Sequence, residues 1–318
     1  MQTVLLTGAS GFVGAAVRQR LLDEGKKLVL AVRQPTAVTE PRMVIKQIAE
    51  LGADTDWGDC LGAVDAVVHS AARVHVMKEA VADPLGEFRR VNVEGTLALA
   101  WQAAQSGVRR FVFISSIKVN GESTLPGQPF KASDKPAPVD PYGISKYEAE
   151  VGLQALAAET GMEVVIIRPV LVYGPGVKAN FRSMMSWIKK GLPLPLGAIH
   201  NKRSLVALDN LVDLIAICLD HPAAANQTFL VSDGEDVSTS ELLRRTAQAL
   251  DRPVRLLPVP AGLLTFGAGA LGKGAAAQRL CGWLQVDIQH TCETLDWRPP
   301  VSVDGALRKT AQAYLSGR

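Results

Sequence analysis

Six short runs are apolar at every position: residues 4–6 (VLL), 28–32 (LVLAV), 66–68 (AVV), 111–114 (FVFI), 164–167 (VVII) and 229–231 (FLV). Neighbouring side chains of a strand point to opposite faces, so strands without polar alternation must be covered on both sides. Helical patterns separate the runs, and the combination predicts an α/β fold with a doubly wound parallel sheet. With 47% hydrophobic but only 5% aromatic residues, its core must be built from Ala, Val, Leu and Ile. Helix punctuation agrees. Asp140-Pro141 supplies an N-cap and a proline at the first helical position, Gly161 ends that helix, and Ser238-x-x-Glu241 forms a capping box.

The first run feeds Thr7-Gly8-Ala9-Ser10-Gly11-Phe12-Val13-Gly14, with glycines in GxxGxxG spacing. Glycine permits a tight turn and close approach of backbone to a pyrophosphate, and the next helix presents its N-terminal N–H groups to it. Gly8, Ser10, Gly11, Phe12, Val13 and Gly14 are therefore expected to hold a dinucleotide on a Rossmann sheet. At the end of the second strand an acid would bond the ribose 2′-hydroxyl of NAD, but the chain has Arg33. A guanidinium pairs with a 2′-phosphate, so NADPH is the predicted cofactor.

Tyr142 and Lys146 form YxxxK in the helix capped by Asp140, on one face at i, i+4 spacing. A phenol near pKa ~10 is a poor base at neutral pH, and a neighbouring ammonium stabilises its anion. Ser115-Ser116 ends the fifth strand, at the carboxyl edge where such sheets bind ligands, and Ser116 would hydrogen-bond the same substrate oxygen. The strand-helix rhythm weakens beyond Gly174. Residues 1–175 are read as the cofactor domain, with 206–232 returning to it. Residues 176–205 and 233–318 are read as a smaller mixed α/β substrate region.

At these residues the chain resembles the extended short-chain dehydrogenase/reductases, an NAD-dependent epimerase/dehydratase family, over nearly its whole length. The matching strings are TGASGFVG (7–14), HSAA (69–72), NVEGT (92–96), SSIKVNGE (115–122), PYGISK (141–146) and RPVLVYGPG (168–176). The nucleotide-sugar branch is the most similar. The resemblance implies that Ser116, Tyr142 and Lys146 are catalytic and that Asn92 helps hold a water relay to the lysine. It also implies that Ser70, Ala71 and Ala72 line the cofactor, that Glu50 and Leu51 lie at the adenine, and that Pro169, Val170 and Val172 lie at the nicotinamide.

On the substrate side it implies Arg73, His75, Ser116, Lys118, Asn180, Arg203 and Arg279, the arginines suiting a diphosphate. The 4,6-dehydratases carry an Asp-Glu pair after the catalytic hydroxyl. Ile117-Lys118 stands there instead, which disfavours dehydration. The strings AARVHVM and SSIKVNGE look like a bacterial surface-polysaccharide subgroup that reduces UDP-2-acetamido-2,6-dideoxy-4-hexuloses at carbon 4. NADPH-dependent reduction of such a substrate is the leading expectation. The alternative is a UDP-hexose 4-epimerase that retains NAD, and a third reading is a cofactor-sensing regulator. A homodimer through helices at 84–106 and 141–160 is implied by the same resemblance.

Lys and Arg number 34 against 31 Asp and Glu, with no basic block, so nucleic acid is not an expected partner. Cys60, Cys218, Cys281 and Cys292 are scattered without metal spacing, so no metal is expected and a reducing cytoplasm is the simpler location. The N-terminus lacks a basic region ahead of an apolar one and does not read as a signal peptide. The longest apolar stretch, residues 261–271, is about half the ~20 residues a membrane span needs. It is read as a buried helix, with a helix on a membrane surface as the alternative.

Overall fold

The computed structural model describes residues 1–34, 40–74, 83–270, 272 and 274–317. The first half alternates as the apolar runs require: β1 (Thr3–Thr7), α1 (Phe12–Asp23), β2 (Lys27–Val32), β3 (Met43–Gln47), α2 (Gly58–Leu61) and β4 (Ala66–His69). Then come α3 (Pro84–Arg89), a π-helical turn (Arg90–Glu94), α4 (Gly95–Gln105), β5 (Arg110–Ile114), α5 (Pro141–Thr160) and β6 (Glu163–Pro169). The second half holds β7 (Leu171–Tyr173), α6 (Ala179–Lys189), β8 (Arg203–Ala207), α7 (Leu208–Asp220), β9 (Thr228–Val231) and β10 (Asp236–Val237). It closes with α8 (Thr239–Ala249), α9 (Ala261–Ala270), α10 (Gly274–Cys281), α11 (Gln289–Leu295) and α12 (Val303–Leu315).

Seven strands form one parallel sheet in the order β3-β2-β1-β4-β5-β6-β9. The order reverses between β1 and β4, which opens a crevice at their carboxyl ends. Strand β1 shows why no polar alternation was possible. Val4 and Leu6 enter one core with Val17 and Leu21 of α1, while Leu5 enters the opposite core with Leu99 of α4 and Leu153 of α5.

Three further strands form a separate sheet, β10-β8-β7, against which Phe181, Leu243 and Leu307 build a third core. Helix α7 returns to the main sheet. Its Asp213 and Asp220 pair with Arg20 at 2.8 Å and Lys26 at 2.5 Å.

The helical stretch at 84–106 comprises α3, the π-turn and α4. One expectation is corrected. The apolar stretch from residue 261 is helical but not buried: α9 contains no buried residue, and Phe266 is 79% exposed. Gly, Ala and Leu in that order leave burial undetermined, since small apolar residues suit a core and a thin surface helix equally. No described helix is long and apolar enough to cross a membrane.

Candidate active site

The glycines of the β1-α1 turn form a cradle that no side chain could share. Gly8 has φ +70°, a Cβ on it would meet the Ala71 nitrogen at 2.7 Å, and one on Gly14 would meet the Gly8 oxygen at 2.1 Å. Helix α1 starts after Gly11 with no side-chain cap and no acid in its first turn, and Ser10 and Gly11 are exposed. Its first N–H groups thus face outward without competition from a carboxylate, which fits a dinucleotide pyrophosphate.

Ser70 holds this turn from β4, its hydroxyl donating to the Thr7 oxygen at 2.7 Å, while the Ala71 N–H donates to the Thr7 hydroxyl at 3.2 Å. Arg33 is exposed one residue beyond β2, at the edge where the adenosine ribose would lie. Glu50 is exposed and paired with Arg90 of the π-turn at 2.9 Å, and Leu51 packs against Gly95.

Opposite the cradle, β5 ends in the two serines. The Ser115 N–H continues the ladder to the Ile167 oxygen at 2.7 Å. Ser116 is extended and caps a 3₁₀ turn at Ile117–Val119, its Oγ accepting from the Lys118 N–H at 3.3 Å. Helix α5 abuts that turn so closely that a Cβ on Gly143 would meet the Lys118 oxygen at 3.0 Å.

Its start is fixed by Asp140, whose Oδ1 accepts from the Gly143 N–H at 2.7 Å, and its end by Gly161 at φ 76°. The Asp140 carboxylate also pairs with the Lys118 ammonium, which reaches Glu122 at 3.2 Å as well. Capping places Tyr142 in the first turn of α5, and Lys146 follows one turn later on the same face.

The Lys146 ammonium is buried, 4.0 Å from the centroid of the Phe113 ring. Burial lowers its pKa to about 7, against a smaller upward pull from Glu150. The Tyr142 ring lies edge-on to Phe88, 6.0 Å between centroids, and burial, reinforced by the Asp140 charge, raises its phenol to about 12. In this state the phenol keeps its proton at neutral pH. Its action as a base requires added positive charge beside it.

Beneath this pair lies a network that YxxxK spacing did not disclose. Glu150, one turn beyond Lys146, is buried and accepts from Arg168 through Nε at 3.0 Å and Nη2 at 2.5 Å. It also accepts a short hydrogen bond from the Ser115 hydroxyl, and Arg168 donates to Asn120 Oδ1 at 2.9 Å. The network ties α5 to the ends of β5 and β6, the elements that carry Lys146, Ser116 and the Pro169-Val170 backbone. An acid four residues after the lysine, on the same helix face, was the available signal. Its partner, eighteen residues on, was not readable from spacing.

Asn92 sits in the π-turn, an irregularity common at functional sites. Its side chain clamps the backbone of Arg73, accepting from N–H at 2.8 Å and donating to the carbonyl at 3.0 Å, and it also donates to Ser145 Oγ at 3.0 Å. Its amide groups thus fix the backbone at Arg73. His69 is fully buried between the hydroxyls of Thr7 (2.8 Å) and Thr96 (3.0 Å), and burial lowers it to about 3, so it stays neutral and acts as a brace.

The remaining expected residues occupy separate positions. The Arg73 guanidinium lies over the Phe88 ring at 5.8 Å. Pro169 and Val170 are buried, and Val172 is half-buried in β7. Asn180 is exposed in the first turn of α6, directly after Ala179, whose φ is 52°. Arg203 opens β8, donates to the Gly282 oxygen at 3.1 Å and has its pKa lowered by burial. Among the described residues no carboxylate lies within ion-pair distance of Arg203. Arg279 is exposed on α10. His75 lies outside the described residues, and among those described no His, Cys, Asp and Glu cluster could hold a metal.

Comparison with known proteins follows the same lines. The profile of the NAD dependent epimerase/dehydratase family matches residues 4–232. A Vibrio cholerae protein named UDP-glucose 4-epimerase is 53% identical over 316 residues, 99% of this chain and 96% of that protein. An Escherichia coli O157:H7 protein named N-acetyl-alpha-D-glucosaminyl-diphospho-ditrans,octacis-undecaprenol 4-epimerase is 29% identical over 78% of this chain and 72% of its own length. In fold, the chain resembles the Bacillus cereus UDP-glucuronic acid 4-epimerase in complex with NAD, with a TM-score of 0.79 at 19% identity over 99% of both chains. With its glycine cradle, its strand-end serine and its YxxxK helix in one Rossmann sheet, the chain belongs to the NAD dependent epimerase/dehydratase family.

Proposed function

We propose that the protein is a UDP-hexose 4-epimerase acting on UDP-glucose or UDP-N-acetylglucosamine with retained NAD. The observation that carries this reading is the 53% identity to a UDP-glucose 4-epimerase across 99% of the chain. It outweighs the expectation of a 4-keto reductase, which rested on short strings and on Arg33.

NAD, when bound, would supply a hydride acceptor for carbon 4 and the positive charge that Tyr142 needs beside it, and inversion requires the 4-keto sugar to present its opposite face before it is reduced. Tyr142 takes the proton of the sugar 4-hydroxyl as it is oxidised and gives it back on reduction. Lys146 stabilises the tyrosinate, and Ser116 donates to the same sugar oxygen. Ser70, Ala71, Pro169, Val170 and Val172 line the nicotinamide side, and Glu50 and Leu51 the adenine side.

Arg203 is the favoured diphosphate ligand, since its half-buried guanidinium has no carboxylate within ion-pair distance among the described residues. Asn180, Arg279, Arg73 and His75 complete the substrate side. Lys118 joins them through Asp140, whose cap it steadies. The enzyme works as a homodimer through the helices at 84–106 and 141–160, where Trp101 and Val151 are 41% and 48% exposed. Its free thiols suit the reducing cytoplasm.

One observation favours the reductase: Arg33 stands where an acid would select NAD. The test is the cofactor state of the purified protein. NAD that survives gel filtration, with no NADPH consumed in the presence of UDP-4-keto-6-deoxy-N-acetylglucosamine, supports the epimerase. An empty site and stoichiometric NADPH oxidation support the reductase and a role in surface-polysaccharide precursor synthesis.

A further inference from the structure

Helix α9 turns its apolar side chains outward. Ala261 and Leu264 face the third core, while Leu263 and Phe266 are 64% and 79% exposed on the opposite side. Residues 263, 266, 267 and 270 share that outer stripe at i, i+3, i+4 and i+7 spacing, and all are Leu, Phe, Gly or Ala. The only polar side chain of the helix, Thr265, bonds back to the Ala261 oxygen at 3.1 Å and the Gly262 oxygen at 3.0 Å. The outer stripe therefore offers water no hydrogen-bonding side chain.

Leu257, in the segment entering α9, is 49% exposed. Helix α10 runs back against α9, near enough that a Cβ on Gly274 would lie 3.9 Å from Gly269 Cα, and it exposes Leu280 at 41%. Exposed apolar surface this continuous marks an interaction site rather than ordinary solvent exposure.

Charge selects the partner. Between residues 252 and 286 the basic residues are Arg252, Arg255, Lys273 and Arg279, and there is no Asp or Glu. Arg252, Arg255 and Arg279 are all exposed. A second copy of the same face would oppose positive charge with positive charge. An exposed apolar stripe in a segment, residues 252–286, that carries cations and no acid matches a bilayer with an anionic surface, where side chains enter the acyl boundary and guanidinium groups meet phosphates. The helix, at ten residues, spans only ~15 Å and cannot cross.

We propose that α9, with Arg252 and Arg255 of the segment leading into it, is an interfacial helix that holds the protein reversibly on an anionic lipid surface. The inference rests on the exposed stripe and its charge, and stands whether the enzyme is epimerase or reductase.

The test is flotation of the intact protein with vesicles of phosphatidylcholine alone and of phosphatidylcholine with roughly one third phosphatidylglycerol. Flotation with the anionic vesicles is expected, falling as salt rises, with little on neutral ones. Leu263→Asp/Phe266→Asp is expected to weaken partitioning at least about tenfold, through lost apolar burial and added repulsion. Because both side chains are exposed, that variant should keep the native circular dichroism spectrum and unchanged turnover in solution. Arg252→Glu/Arg255→Glu should remove the preference for anionic vesicles.

Three outcomes overturn the proposal. The first is that the protein stays with the sediment in both vesicle types, and the second is that it floats equally well after the double Asp change. The third is failure to float combined with a concentration-dependent mass increase abolished by Phe266→Asp, which assigns the face to self-association.

Discussion

Lys146 and Phe113 are joined through charge and ring face: the ammonium stands 4.0 Å from the ring centroid, with burial pulling its pKa down to about 7. A cation held in this way is useful to Tyr142 and costly to the fold. The folded protein binds fewer protons at this lysine than the unfolded chain does between pH 7 and 10.5. Stability therefore rises with pH across that window, and the cost is fully present below it. Lys146→Met should lower turnover by at least ~10²-fold yet raise Tm at neutral pH, by roughly 2–4 °C per kcal/mol relieved. The Tm difference should vanish above about pH 10.5. Thermal melts from pH 6 to 11 check this, and a variant less stable than wild type at pH 6 would refute it.

The Glu150-Arg168 pair predicts an asymmetry. Glu150→Gln leaves a buried guanidinium without its carboxylate and should cost about 3–5 kcal/mol in urea unfolding. Glu150→Leu/Arg168→Met removes both charges, so its loss should be well below the sum of the two single changes. Additive losses would show that the two side chains act independently.

Gly14→Ala should disrupt the cradle, because the added carbon would meet the Gly8 oxygen at 2.1 Å. The expected effects are destabilisation of about 1–3 kcal/mol and at least tenfold weaker cofactor binding. Gly62→Ala is the control. It has φ −57° and nothing within 4 Å of a new Cβ, so it should be neutral or slightly stabilising. Equal cofactor affinity in the two variants, measured by fluorescence titration, would contradict the role of the turn.

His69 sets the acid limit. Its pKa falls from 6.5 unfolded to about 3 in the fold, so stability contributed by the neutral ring is lost as pH drops below 6.5. His69→Gln, with no ring to protonate, should flatten the decline of Tm between pH 6.5 and 4. A parallel decline in the two proteins would rule out His69 as the cause.

The sheet was readable because its central strands are covered on both faces, and no polar residue could interrupt runs such as FVFI or VVII. Strand β3, at the edge, reads MVIKQ and was not among the six runs, since only one side of it is covered. Tyr142 and Lys146 were readable as neighbours through spacing, because a helix fixes which side chains share a face, and Ser116 through its place just after the apolar run of β5. Glu150 was equally accessible on that face, but an acid on a helix usually reads as solvated, and its burial depends on Arg168 arriving from another strand. The position of α9 was misjudged for a related reason. Periodicity identifies a helix, while the choice between core and surface belongs to tertiary packing.

The central claim is tested most directly by proton NMR of UDP-glucose and UDP-N-acetylglucosamine incubated in D₂O with the wild-type protein and with Tyr142→Phe. The account predicts conversion to the 4-epimers without added cofactor and without deuterium at carbon 4, because the same hydride returns. It also predicts a loss of ~10²–10⁴-fold in Tyr142→Phe. No interconversion by the wild type, or full activity in Tyr142→Phe, would contradict it.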